Sequence, residues 1–458
     1  MSNNDPSKQL PVVGDMQADW QLVGTLLGGT KAMRTAGKSF LPAWPKEDND
    51  SYKARLLAST LLPVFGETVA NLTGRVFAEP IQVGDDVPEV VAEQLQNIDL
   101  QGNNLQVWAK SWFETALSYG MGLALVDFPP SEGIKTRADE VKAGLRPYAV
   151  MIQPTQVIGW RSTIAAGHER LTQFRYYETV TEDDGPFGVR EIKQIRVLEP
   201  GKWSIWRKAE KEDSWLLHAE GSTSLAEIPL VVFYTKRKGA LVAEPPLLDL
   251  AHLNVKHWQS QSDQDNILHV ARVPILAIIG SDEQTKLVIG SNAALKLPKG
   301  ADAKYVEHGG EAIKSGRDAL KDLLDEMRMA GAKLLQRENK TTKTVNQANE
   351  EAAENVSALE SYAEAFEDAI DAVVHLFCKW QGLEEQGSVE VRGNFDTDAN
   401  PEVSLAFLLD MSIAGKLSDE TLFNEAQRRG VISDEVEWEQ EKGRLPPPKE
   451  PINPAQNI

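Results

Sequence analysis

From about residue 345 to 381, apolar side chains recur at steps of three and four: Val345, Ala348, Ala352, Val356, Leu359, Ala363, Phe366, Ile370, Val373 and Phe377. That period predicts one long amphipathic helix that needs a partner surface along its length. Its polar face holds Glu350, Glu351, Glu354, Glu360, Glu364, Glu367, Asp368 and Asp371, with no Lys or Arg between 348 and 371. A second helix is expected over about 311–335. Its apolar stripe is narrower (Ile313, Leu320, Leu323, Leu324, Met327, Leu334), and its acids are matched by Lys314, Arg317, Lys321, Arg328 and Lys333. Between the two lies a polar, basic loop without aromatics, Gln336-Arg337-Glu338-Asn339-Lys340-Thr341-Thr342-Lys343. On pattern alone this is an antiparallel helical pair, joined by a loop suited to touching a partner.

The period changes along the chain. Residues 1 to about 48 are broken by Gly28, Gly29, Gly37, Pro42 and Pro45, which predicts an arm with one short helix near 17–27. A continuous helix kinked at Pro63 is expected over 50–77, and another over Leu105–Ala124 with Trp108, Trp112, Ala116 and Tyr119 on one side. Short β-rich runs follow at Tyr148–Ile152, Gln173–Val180, Arg190–Leu198, Lys202–Arg207, Trp215–His218 and Pro229–Thr235. The turns Asp183-Asp184-Gly185-Pro186 and Glu199-Pro200-Gly201 make an antiparallel meander of them. A helix from Pro246 to about Val270 precedes a small α+β insertion built from Val273–Ile279, Lys286–Ile289 and a loop through Pro298 and Gly300, ending near His308. Small helices are expected at Pro401–Ala414, Ser418–Arg429 and Ser433–Lys442, then an extended tail from Pro446. The class is α+β, predominantly helical, with no internal repeat.

At 458 residues, two to four modules are expected. The single cysteine, Cys378, excludes an intramolecular disulfide, and its place among Val374, Phe377 and Trp380 suggests a buried thiol in a reducing compartment. No apolar run approaches the ~20 residues of a membrane span. With Asp5, Asp15 and Asp19 the first residues do not read as a secretory signal, so a soluble protein made in the cytoplasm is expected. A net charge of −20 argues against broad phosphate neutralisation, which needs clustered Lys and Arg; contact with DNA should be local.

Candidate chemistry is sparse. Ala32-Met33-Arg34-Thr35-Ala36-Gly37-Lys38-Ser39 matches a phosphate-binding loop except at Ala32, yet Phe40-Leu41-Pro42-Ala43-Trp44-Pro45 follows where a helix is required. His252 and His257 share a helix with Asp263 and Asp265, but residues five apart point about 140° apart, which is poor for a shared metal. There is no nucleophile elbow. Neither a metal nor another cofactor is implied, and nothing recommends an enzyme.

Three stretches, Ala36-Gly37-Lys38-Ser39-Phe40-Leu41-Pro42, Tyr52-Lys53-Ala54-Arg55-Leu56 and Asn71-Leu72-Thr73-Gly74-Arg75-Val76-Phe77, resemble the opening of the portal proteins of tailed double-stranded DNA bacteriophages. Tyr119-Gly120-Met121-Gly122-Leu123-Ala124-Leu125-Val126-Asp127 is similar to the family's passage from helix to strand, and Ile158-Gly159-Trp160-Arg161 with the meander to its wing. The resemblance extends loosely over about 40–380, and it rests on the order of the motifs. It implies an arm at 1–48, a wing at 49–245, stem helices at 246–270 and 310–335, and a clip at 271–309. A tunnel loop at 336–344, a long wing helix and return at 345–399, a helical crown at 400–445 and a Pro-rich tail at 446–458 complete the expected portal fold.

The family implies a homo-oligomeric ring, commonly of twelve subunits, at one capsid vertex, through which double-stranded DNA is packaged, retained and ejected. It implies a virion location after assembly in the host cytoplasm, no membrane, and contacts with the major capsid protein, the terminase, and later head-completion adaptor and tail proteins. Gln336, Arg337, Asn339, Lys340, Thr341, Thr342 and Lys343 would then meet DNA at the constriction. Ser281, Asp282, Glu283, Lys286, Lys296 and Lys299 would lie on the docking clip. Twelve copies would carry a formal charge of roughly −240, a wall that disfavours lasting phosphate contact. Charges on the helix at 311–335 would instead pair between subunits. The alternatives are another structural virion protein, an adaptor or scaffold, or a nucleotide-dependent enzyme using Lys38.

Overall fold

A computed structural model describes residues 5–129, 139, 142–165, 167–209, 214–271, 275–279, 302–306, 310–336, 357–395, 408–428, 431–433 and 436–444. The chain divides into two compact units, residues 1–395 and 396–458, in a mixed α+β fold.

The first unit opens on helix, where an arm was expected. Helix α1 (Pro11–Leu27) starts six residues earlier than the pattern suggests and has Val13, Met16, Trp20, Leu22, Val23 and Leu26 buried; α2 (Gly29–Ala36) follows it. Gly28 and Gly29 divide the two helices without ending helical structure. The Trp20 indole donates to the Tyr119 carbonyl at 3.0 Å, and the Leu10 N–H donates to the Ile158 carbonyl at 3.1 Å.

The helix expected over 50–77 is broken, not kinked. Helix α3 (Asn49–Ala58) starts at the Asp48 cap and stops where Ser59 turns extended; α4 (Val64–Val76) begins after Pro63. The freed backbone groups find side chains: the Arg34 guanidinium donates to the Ser59 carbonyl at 3.1 and 2.9 Å. Buried Asn254 donates to the Leu62 carbonyl and accepts the Phe65 N–H, each at 3.0 Å. A break is affordable where its polar groups are satisfied.

Beyond β1 (Gln82–Val83) and α5 (Glu89–Gln94), α6 (Leu105–Tyr119) ends five residues short of Ala124, at Gly120 with φ 88°. Strand β2 (Met121–Asp127) then pairs antiparallel with both β3 (Tyr148–Ile152) and β9 (Leu230–Tyr234). Two of the expected meander runs therefore belong to this separate sheet. The meander itself has five strands, β4 (Val157–Ala165), β5 (His168–Asp184), β6 (Gly188–Glu199), β7 (Lys202–Lys208) and β8 (Trp215–Ser222), in sequential order. Strand β4 carries no run of its own in the sequence pattern because its second half is exposed.

Alternate side chains of β2 enter two cores. Met121, Leu123 and Leu125 face α1, β4 and β5, whereas Ala124 and Val126 join the larger core of α4, α6 and later helices. A strand buried on both faces reads as an unbroken apolar run, which in Met-Gly-Leu-Ala-Leu-Val is indistinguishable from the end of a helix. The outer part of β5 and β6 has little core and is bridged by charge. There Arg207 meets Glu182 at 2.7 Å; nearer the core, the largely buried Arg196 reaches Asp127 of β2 at 2.7 Å and Glu178 at 3.8 Å.

After β10 (Arg237–Gly239) and β11 (Val242–Ala243), α7 (Leu248–Ala271) leads to β12 (Ile275–Ile279), which pairs antiparallel with β13 (Asp302–Val306). Helix α8 (Glu311–Ala332) returns. Helix α9 (Ala358–Trp380) then crosses the larger core, with Phe366, Ile370, Val373 and Phe377 fully buried, and β14 (Val389–Glu390) pairs with β1. The continuous helix expected over 345–381 is not what forms. Ser357 is extended and caps α9 reciprocally with Glu360, a capping box that starts a helix.

In the second unit, residues 408–413 are helical, α10 (Asp419–Arg428) follows Ser418, whose Oγ accepts the Thr421 N–H at 3.1 Å, and α11 (Trp438–Arg444) starts five residues later than the pattern suggested. Phe423 and Trp438 pack at 5.3 Å between ring centroids.

Gly120 carries the junction of α6 and β2. Its φ is left-handed, and a Cβ there would collide with the Glu244 backbone carbonyl. Gly120→Ala is expected to cost about 1–3 kcal/mol from backbone strain and crowding, read as a lowered denaturant midpoint. Gly74→Ala, where a Cβ meets nothing within 4 Å, should not lower it; equal midpoints for the two variants would overturn this account.

Candidate functional site

The helical hairpin of α7 and α8, with its strand pair, is the most distinctive construction in the chain. At 1.5 Å per residue α7 is about 36 Å long. Its first half is anchored, with Leu250, Ala251 and Trp258 fully buried, while Asp263, Ile267 and His269 farther along are exposed. Glycine lets α8 lie close at both ends. A Cβ on Gly316 would run into the buried Gln264 side chain, whose amide donates to the Ile313 carbonyl at 2.9 Å. A Cβ on Gly331 would meet Thr68 of α4 at 2.9 Å. The expected stripe of α8 is the inward one: Leu323, Met327 and Leu334 are buried, and Ile313, Leu320 and Leu324 half-buried.

Helical structure ends where expected. After α8 a single 3-10 turn covers Lys333–Leu335, and Gln336 is extended and exposed. Arg337, Asn339, Lys340, Thr341, Thr342 and Lys343 lie outside the described residues, as do Ser281, Asp282, Glu283, Lys286, Lys296 and Lys299. What the structure places is their frame: the latter six fall between β12 and β13, and the former six between α8 and α9.

The acids of α9 do not form a uniform solvated face. Asp371 accepts the Val389 N–H at 2.8 Å and Glu367 accepts the Val391 N–H at 2.7 Å, so two carboxylates hold the returning chain. Burial raises the pKa of both; for Asp371, neighbouring Asp368 and Asp86 add to it, and for Glu367, Glu390, Asp371 and Glu364 do. Sequence periodicity could assign these residues to the flank of the apolar stripe but not to a backbone donor 18 or more positions away.

A cleft of about 830 Å³ lies between residues 44–59 and α7. Its charged centre is already occupied by the protein itself. The Arg55 side chain, 5% exposed, pairs with Glu47, 3% exposed, at 2.8 Å, donates to the Pro42 carbonyl at 2.9 Å and lies 4.1 Å from the Trp44 ring centroid. The guanidinium holds the Glu47 carboxyl below the usual range. Such a saturated cation ties a segment to α7 and leaves little to offer a ligand. The loop-like motif at 32–39 is helical through α2 and a 3-10 turn, is preceded by helix α1 where a strand would be needed, and sets Lys38 5.4 Å from the Tyr52 ring centroid.

His252 is exposed, whereas His257 is buried and its pKa lowered by burial. Among the described residues, no cluster of three or more His, Cys, Asp or Glu could hold a metal, and no helix is long and apolar enough to cross a membrane. Cys378 is buried, its thiol pushed up by burial and donating to the Gln386 carbonyl at 3.5 Å.

A family model described as a domain of unknown function, DUF4055, matches residues 246–381, from the start of the hairpin to the end of α9. No curated protein matches. Among solved structures, a chain of the neck of an empty gene transfer agent (GTA) particle, computed with C6 symmetry, is similar at 14% identity and a TM-score of 0.40, covering 82% of this chain and 92% of that one. A chain of the virion of a native GTA particle has the same identity and TM-score, with coverages of 84% and 96%. A chain of the native neck, computed with C12 symmetry, has 13% identity and a TM-score of 0.38, with coverages of 88% and 98%. At that level the likeness decides nothing about this chain.

Because the native pKa of Asp371 lies above its ordinary value, the folded state keeps this proton to higher pH than the unfolded chain does. Its contribution to stability is therefore largest in acid and falls as pH rises past the ordinary carboxylate range. Asp371→Asn keeps an acceptor for Val389 without the charge, and should leave the melting temperature at pH 7 unchanged or higher while flattening its decline from pH 4. Asp371→Ala, which leaves the Val389 N–H without its acceptor, should lower stability by about 1 kcal/mol. Equal losses in both variants would show that the charge, not the acceptor, matters.

Proposed function

We propose that this chain is the repeating, non-enzymatic subunit of a portal ring in a tailed-phage-type particle, forming the channel through which double-stranded DNA enters and leaves. The observation that carries this reading is one of order: a helix rising from the core, an antiparallel strand pair, a returning helix, a basic loop and a helix re-entering the core. That is the order the sequence resemblance implies for stem, clip, stem, tunnel loop and wing helix, and the first and last of these helices are anchored in the same large core.

The physical work of such a subunit is to hold DNA without gripping it. An acidic chain repeated around a ring repels phosphate over the ~8 Å range that physiological salt allows. Arg337, Lys340 and Lys343 form a local basic exception at the end of the stem, enough for transient phosphate contacts around the constriction. The segment between β12 and β13 is the surface that docks the terminase and then the adaptor and tail proteins. The two strands fix where that segment leaves and rejoins the hairpin.

Electron microscopy of the purified chain is expected to show closed rings with a central hole wide enough for duplex DNA. Compact or open assemblies without a hole, across salt and concentration, would favour an adaptor or scaffold instead. ATP hydrolysis abolished by Lys38→Ala would point to the enzyme reading. Within rings, the triple replacement of Arg337, Lys340 and Lys343 by Ala should leave assembly intact and reduce packaging or retention of DNA. A normal packaged genome length would remove that role from the loop.

A further inference from the structure

The solvent face of α8 is divided into sectors by charge. With 3.6 residues per turn, Lys314, Arg317, Lys321 and Arg328 fall within about 60° of one another, on one flank of the buried stripe. Asp318, Asp322, Asp325 and Glu326 fall within about 100° on the side turned away from the body. All eight are exposed. Among the described residues the two sectors make a single ion pair, Arg328 with Asp325 at 3.1 Å along the same helix. Ser315 and Met329, 63% exposed, stand among the acids, and exposed Ala319 lies just beyond them.

Duplex DNA does not fit this surface, since a phosphate drawn to the basic flank would meet carboxylates one helical turn along, Asp318 after Lys314 and Asp325 after Lys321. A protein surface with the opposite arrangement does fit, and α8 itself supplies one. We propose that the basic flank of α8 in one copy of this chain docks against the acidic sector of α8 in the next copy. Each copy then presents one sector as donor and the other as acceptor, which is a heterologous contact. Such contacts close into a ring when the rotation between copies closes. The inference rests on the ring reading above and assigns the neighbour-facing surface of its stem. Exposed ion pairs contribute little each; their collective role is to set partner and register, while Ser315 and Ala319 let the neighbouring helix approach and Met329 adds apolar contact.

Reversal of one sector at a time tests it. Lys314→Glu with Arg317→Glu and Lys321→Glu leaves two acidic sectors; Asp318→Lys with Asp322→Lys and Glu326→Lys leaves two basic ones. By sedimentation at low salt, each variant alone should self-associate at least about tenfold more weakly than wild type, with unchanged helical circular dichroism. Mixed in equal amounts, the two should co-assemble, because every contact again joins opposite charges. Loss of helix stability in either variant cannot produce recovery on mixing. Folded variants that assemble alone as wild type does, or that fail to recover when mixed, would overturn the proposal. Wild-type protein that forms no closed ring yet still shows loss and recovery would instead sink the ring reading and leave this contact standing.

Discussion

Phe366 lies 4.8 Å from Phe233, 5.1 Å from Trp112, 5.2 Å from Phe113 and 6.0 Å from Phe77 between ring centroids, mostly edge to face. These five rings come from α9, β9, α6 and the end of α4, so one cluster joins the central sheet to the helices on its inner side. Each such pair contributes about 0.5–1.5 kcal/mol beyond the area it buries. The packing also dictates backbone. A Cβ on Gly122 would stand 2.7 Å from the Trp112 ring, so β2 can pass beneath that ring only as glycine. Helix α7 shares the same core through Leu250, Ala251 and Trp258, and the projecting hairpin thereby has a fixed base.

Charge follows a different logic in each part of the first unit. At the base of the hairpin it is consumed internally: Arg55 is saturated by Glu47, the Pro42 carbonyl and Trp44, and on the far side of the core Glu367 and Asp371 are spent on backbone N–H groups. On α8 it is left exposed and segregated. Buried charges need partners within the chain because desolvation is expensive, whereas exposed charges are free to select partners outside it. On α9, by contrast, Glu367 and Asp371 hold backbone N–H groups while Glu364 and Asp368 stay exposed, so of these two helices only α8 presents both signs of charge in separate exposed sectors.

The apolar periods of 311–335 and of the part of 345–381 beyond Ser357 were legible as helices, and most of the β runs as strands, because side-chain burial there follows a single local period. Three misreadings share one cause. The first residues read as an arm because glycines and prolines punctuate them, yet Trp20 and Val23 supply two cores. The break at 59–63 read as a kink because its stabilisers, Arg34 and Asn254, lie 25 or more residues away. Ser357 looked like a polar position within a helix, and only its extended backbone and its exchange with Glu360 make it a start.

The sequence alone determined the α+β class, the succession of helix, small β-containing insertion and helix, the acidic balance and the basic character of 337–343, all properties that reside in local pattern or summed composition; it did not give Asp302–Val306, read as the end of a loop, as the partner of β12. It could not determine that β2 is shared between two cores, that Arg55 is internally satisfied, or that α9 acids hold the return strand. Those depend on which distant groups share a space too small for water. Hydrogen bonds and ring contacts between groups eight or more positions apart leave no period in a chain, and only the tertiary structure decides them.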